Sequence, residues 1–172
     1  MRVIKNGRVL EDGWQRIAEP GPGQPLPEGD LIVPLDYWRN NRELLSRHNG
    51  RIAVCLNGDD SLDDFSASLD QFELVALEFP KFTDGRSYSH ARLLRDRFGY
   101  RGEIRALGEV LRDQLFFMQR CGIDSYQVRE DKNAEDALKG LSDFSVKYQT
   151  AADGAPPVYK LRQKQRNDER GA

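Results

Sequence analysis

The chain has 172 residues, with 26 basic and 28 acidic side chains and a formal net charge of −2. That length suits one domain with extensions, able to bury about two-thirds of its unfolded surface without disulfide or metal staples. The near-balance of charge argues against nucleic acid or an anionic membrane as the main partner. No apolar run nears the ~20 residues of a membrane span, and the start of the chain lacks a signal peptide's apolar middle, so the sequence reads as cytosolic.

VIKNGRVLEDGW opens the chain with apolar runs on either side of Asn6-Gly7, the dipeptide that supplies the positive φ angles of a tight turn. Residues 1–18 are therefore expected to form a β-hairpin appendage. The prolines and glycines of EPGPGQPLPEGD predict a linker over 19–30.

From residue 31 to residue 146 short apolar runs alternate with helical patterns. The runs LIVPL, RIAVCL, ELVALEF, EIRAL and DSYQV predict about five strands. Between and after them lie DYWRNNRELLSRHNG, with Asp36 as a candidate cap, NGDDSLDDFSASLDQ, HARLLRDRFGY, EVLRDQLFFMQRCG and NAEDALKGLSDFSV, which predict five helices. Strands that alternate with crossover helices are mostly parallel, which makes the class α/β. Sequential strand order gives a partial (β/α) barrel, the favoured arrangement because no glycine-rich phosphate loop marks a switch point. The alternative is a flavodoxin-like doubly wound sheet. Residues 147–172 lose this grammar and, with Lys160, Arg162, Lys164, Arg166 and Arg170, predict a flexible basic tail.

Cys55 and Cys121 are far apart and outside any C-x-x-C spacing, so they read as reduced, packed thiols. His48 and His90 have no partner at metal-ligand spacing, and no metal site is expected.

The charged segment between Glu78 and Gln114 is the candidate site. In a parallel sheet the loops after the strands share one face, where ligands collect. Glu78 ends one strand. Asp84-Gly85-Arg86 follows, with Ser87 or Ser89 able to cap the next helix, whose exposed N–H groups suit an oxyanion such as sulfite, sulfate or phosphate. Arg105 lies within EIRAL on the same face as Glu103 and Leu107, and burying it demands a carboxylate, for which Glu78 and Asp113 are the candidates. The competing reading is a structural ion network in which Arg86 answers Asp84 or Glu78.

The string FPKFTDGRSYSHARLLRDRFGYRGEIRALGEVLRDQLFFMQRCGID resembles the signature of a bacterial family known as domain of unknown function nine-three-four. The pattern stresses Phe79, Pro80, Phe82, Asp84, Gly85, Arg86, Tyr88, Ser89, Arg105, Asp113, Gln114 and Gly122, with departures at His90, where glutamine is usual, and Ile123, where phenylalanine is common. Members are encoded beside the assimilatory sulfite reductase hemoprotein and labelled as probable oxidoreductases in sulfite reduction. The resemblance thus implies a pathway but carries no catalytic residues.

Three functions follow as expectations. The favoured one is an accessory protein of assimilatory sulfite reduction that binds the reductase hemoprotein or its electron donor. The others are an oxidoreductase component with an unrecognised cofactor, and a binding module for a small oxyanion or sulfur metabolite. Side chains alone do not carry the six electrons of sulfite reduction, and no flavin or dinucleotide fingerprint is visible. The expected ligand-binding group is Glu78, Asp84, Gly85, Arg86, Ser87, Ser89, Arg105, Asp113 and Gln114. No catalytic or cofactor-binding residue is assigned.

Overall fold

The computed structural model describes residues 2–17, 25–142, 150–152, 156–160 and 163. Eight strands form one sheet: β1 (Arg2–Lys5), β2 (Arg8–Glu11), β3 (Gln15–Arg16), β4 (Leu31–Pro34), β5 (Ile52–Leu56), β6 (Leu74–Phe79), β7 (Glu103–Gly108) and β8 (Ser125–Tyr126). They are accompanied by the helices α1 (Leu35–Asn40), α2 (Arg42–Ser46), α3 (Asp63–Ser66), α4 (Arg86–Asp96), α5 (Arg112–Arg120) and α6 (Ala134–Leu138).

The strand order is β2-β1-β8-β7-β6-β5-β4-β3. From β3 to β8 every pairing is parallel and sequential, whereas β1 runs antiparallel to both β2 and β8. The order never reverses, so the doubly wound alternative is excluded and the α/β partial barrel stands. The strands outnumber the five expected because the hairpin joins the main sheet and because β3 is added. Asn6 and Gly7 turn the hairpin with φ of 53° and 68°, but β1 pairs Ile4 with Tyr126, and Val3 and Ile4 are buried. The hairpin is an edge of the barrel, not an appendage.

This order forces curvature. β2 and β3 lie at opposite edges of the sheet yet are joined by Asp12, Gly13 and Trp14 alone. Such a link spans at most about 14 Å, whereas seven strand spacings would set the edges of a flat sheet about 34 Å apart. The sheet therefore curls into a half-barrel.

Alternation along the strands then sorts the side chains. Val54, Val75, Leu77, Ile104 and Ala106 point outward into the large core, where they meet Trp38, Phe65, Leu94, Leu115 and Met118 from the helices and loops. Trp38, Phe65 and Phe72 pack ring on ring there, with centroids 5.2–5.9 Å apart. Trp14, Ile32, Ala53, Cys55, Leu74, Ala76 and Leu107 form a smaller inner core.

Local details differ from the expectations at several helix starts. Asp36 is the second residue of α1 and makes no cap, because the turn follows directly from Pro34. The helix expected over NGDDSLDDFSASLDQ shrinks to α3 and a 3-10 turn at Leu69–Gln71. Both thiols are free and buried, as the sequence predicts. Residues 19–24 of the expected linker and residue 18 of the expected hairpin segment lie outside the described residues, as does most of the expected tail. Within that tail, Ala152 donates to the Arg120 carbonyl at 3.2 Å and Pro157 is buried.

Candidate functional site

The structure divides the predicted residues among three places. Arg105 occupies the first, on the inner face of the half-barrel. Its side chain is 1% exposed. The guanidinium Nη2 meets Asp12 Oδ2 and Glu103 Oε1, both at 2.6 Å, and Nε donates to Glu103 at 2.9 Å and to Ser125 Oγ at 3.2 Å. Lys5 binds the other Glu103 oxygen, and the Ser125 hydroxyl donates to Oε1.

The expected partners are thereby corrected. Asp113 is exposed in the first turn of α5, and Glu78 lies one inner layer further along the sheet, paired across from Leu107. Glu103 is reached because residues two apart in a strand share a face. Asp12 is reached because the short link between β2 and β3 crosses that face. Burial pushes the Glu103 carboxyl up, but Lys5, Ser125 and Arg105 outweigh it, and its pKa falls below the usual 4.5.

The second place is the start of α4. The Arg86 guanidinium grips Asp84, with Nε to Oδ1 at 3.0 Å and Nη2 to Oδ2 at 2.7 Å, and its Nη1 reaches Asp59. The Arg86 N–H also donates to Asp84 Oδ1 at 3.2 Å. The chain's own carboxylate thus takes the position at the helix start that an oxyanion would occupy. These hydrogen bonds to Arg86 hold the Asp84 carboxyl down to about 2. Gly58 makes the approach possible, since a Cβ there would lie 2.7 Å from Arg86 Nε. Arg86 and its two carboxylates form a structural ion network on the surface.

Neither serine caps α4. Gly85 occupies the cap position, Ser89 is exposed, and Ser87, 2% exposed, donates its hydroxyl to the Glu78 carbonyl at 2.5 Å. That bond ties the helix to the end of β6. Ser87→Ala leaves a buried carbonyl without its donor and is expected to cost about 1–3 kcal/mol, read as a lower urea midpoint with unchanged slope. Gln114 closes α5 instead: its Oε1 accepts from the Leu111 N–H at 3.0 Å.

Aromatic rings gather beside this network. Tyr88, in the first turn of α4, packs between Phe79 and Phe117 with centroids 5.0 Å from each. Phe117 on α5 is 56% exposed, and Phe82, on the loop leading into α4, is 55% exposed.

The third place is the mouth at the carboxyl ends of the parallel strands. Glu78, 8% exposed, forms an ion pair through Oε2 with Arg16 of β3, and the Cys55 thiol lies 3.7 Å from the same oxygen. Burial, reinforced by that carboxylate, pushes the Cys55 thiol up to about 12, so it stays protonated and a poor nucleophile. A cavity of about 540 Å³ opens there, with Arg16, Gly108, Glu109 and Arg129 in its wall. Arg16, Glu109 and Arg129 escaped the sequence reading. Arg16 gave no apolar signal, and the other two follow strands whose ends only the register fixes.

Among the described residues no group of three or more His, Cys, Asp or Glu side chains is arranged to hold a metal, and no helix is long and apolar enough to cross a membrane.

The fold and its three polar centres define a curled, mostly parallel α/β protein with an inner ion network around the buried Arg105, exposed aromatic rings and an open strand-end mouth. A family model described as "Bacterial protein of unknown function (DUF934)" matches residues 53–159, more than half of the chain, and the chain belongs to that family. No curated protein matches its sequence.

Proposed function

We propose that this chain is a cytoplasmic accessory protein of assimilatory sulfite reduction that docks on the sulfite reductase hemoprotein. The pathway comes from the resemblance carried by the segment from Phe79 to Asp124. The observation that carries the docking role is the pair of exposed rings, Phe82 in the loop before α4 and Phe117 packed on Tyr88 of its first turn. Two half-exposed phenylalanines, one of them packed on Tyr88, are unfavourable in water and suit the centre of a protein contact.

The neighbouring charges fit the same role. Asp84, Arg86 and Asp59 are paired among themselves. They hold the loop that carries Phe82 in one shape and supply a polar rim around the rings. A preformed surface of this kind loses little entropy on binding. The buried, protonated thiols Cys55 and Cys121 suit packing better than thiol exchange, which favours a binding role over dithiol redox chemistry.

The test is binding of the purified chain to the hemoprotein by biolayer interferometry. The double substitution Phe82→Glu with Phe117→Glu is expected to weaken binding by at least about a hundredfold, since hot-spot rings each carry about 2 kcal/mol or more. Circular dichroism should be unchanged, because both rings are solvent-facing. Equal binding by wild type and variant, or no binding by the wild type, overturns the proposal.

A further inference from the structure

We infer that the mouth at the carboxyl ends of the strands binds a small zwitterion of the amino-acid class, its ammonium group on Glu78 and its carboxylate on Arg16. This site is separate from the aromatic docking face, and its test stands or falls independently.

The place is where parallel α/β sheets gather ligands, outside the carboxyl ends of the strands. The cavity of about 540 Å³ there falls within the range of small-molecule sites. Glu78 lies just behind this wall, paired with Arg16 and packed against Gly108, both of which line the cavity. Only one of its two carboxylate oxygens is engaged: Oε2 takes Arg16 and the Cys55 thiol, whereas Oε1 has no hydrogen-bond partner among the described residues. A carboxylate oxygen without a donor on a side chain this buried favours any donor that reaches it. Glycine at 108 lets Oε1 lie close against the end of β7, since a Cβ there would come within 2.7 Å of it.

The charge balance selects the donor. The charge of Arg129, the other arginine of the wall, is already answered by two carboxylates, Glu109 at 2.7 Å and Asp131 at 2.6 and 3.0 Å. Glu130 and Asp131 add further negative charge to the wall. A plain anion meets four carboxylates against two guanidiniums here and is disfavoured, whereas an ammonium group finds Glu78 Oε1. Arg16 is half exposed and uses only Nη2 on Glu78, so its other N–H groups remain for a carboxylate. Acceptor and donor touch each other, and an α-amino acid presents its two charges at matching short separation. The site binds without covalent chemistry, because the Cys55 thiol beside it stays protonated.

The experiment is titration of the ¹⁵N-labelled full chain with glycine, L-serine, L-aspartate and L-arginine in turn, with ethanolamine and glycolate as single-charge controls. At least one amino acid should move the Gly108, Glu109, Gln127 and Arg129 amides saturably, with a dissociation constant near or below about 1 mM. Each control should bind at least about tenfold more weakly. Glu78→Gln, which keeps the shape and loses the charge, should lower the affinity at least about tenfold. Should that variant unfold, Arg16→Gln on the two-residue strand β3 must show the same loss. The inference is overturned if those amides stay still up to about 10 mM ligand, if a control binds as well as the amino acid, or if the folded variant binds like the wild type.

Discussion

Replacing Arg105 with alanine is expected to destabilise the fold by about 3–5 kcal/mol, the usual result of removing one partner from a buried ion pair. The reason lies in what the side chain does inside the half-barrel. Among the described residues it is the largest fully buried side chain, and it joins three segments distant in sequence: Asp12 in the β2–β3 link, Glu103 on β7 and Ser125 on β8. Without it, Glu103 keeps Lys5 and Ser125 but faces a void, and the link that curls the sheet loses its tether. Chemical denaturation measures the loss. A change below about 1 kcal/mol, the worth of an exposed pair, would show that the network is not a structural keystone.

Acid supplies an independent check with a defined sign. The folded-state pKa of Glu103 is depressed below 4.5, so its contribution to stability is present above that value and lost as pH falls through the folded pKa. In Arg105→Ala the burial of Glu103 is less opposed and its pKa rises, so the variant has less of this stability to lose. The gap in melting temperature between wild type and variant should narrow from pH 7 to below pH 4. A gap that stays constant or widens rules out ionised Glu103 as the principal partner.

The same residue shows how far the sequence could be read. The apolar runs at β4 to β7 were legible because buried parallel strands are rich in Val, Ile, Leu and Ala, and Asn6-Gly7 announced the hairpin. Sequential order followed from the regular crossover grammar. β3 was not legible: Gln15 and Arg16 carry no apolar pattern, and they pair only because β4 offers an edge, with the Gln15 N–H on the Asp30 carbonyl at 2.8 Å. Arg105 was readable as a buried cation needing a carboxylate, and Glu103 was available from strand alternation two positions away. Asp12 was not available, since it arrives through the closure of the sheet, a property of the whole topology. At α4 the choice between an anion site and an ion network turned on whether Arg86 folds back across Gly58, a matter of side-chain direction that spacing does not encode.

The second large effect is expected at Gly108. Its φ of +94° belongs to the region that side chains rarely adopt, and a Cβ there would lie 2.5 Å from the Phe79 carbonyl oxygen, a backbone atom that the β6–β7 pairing holds in place. Gly108→Ala therefore carries a conformational cost of about 1–2 kcal/mol and an overpacking cost of about 1–3 kcal/mol. Gly99→Ala is the matched control, because Gly99 has φ of +63° with nothing within 4 Å of an added Cβ. The control should lose only the conformational part, so the difference between the two variants isolates the clash. Its consequence reaches the mouth: the same Cβ presses on Glu78 Oε1, so Gly108→Ala should also displace the backbone amides of Glu78 and Arg16 in the ¹⁵N spectrum, whereas Gly99→Ala leaves them in place. Equal destabilisation by the two substitutions, with the Glu78 amide unmoved in both, would mean that β7 ends in a looser turn than the Phe79 contact requires.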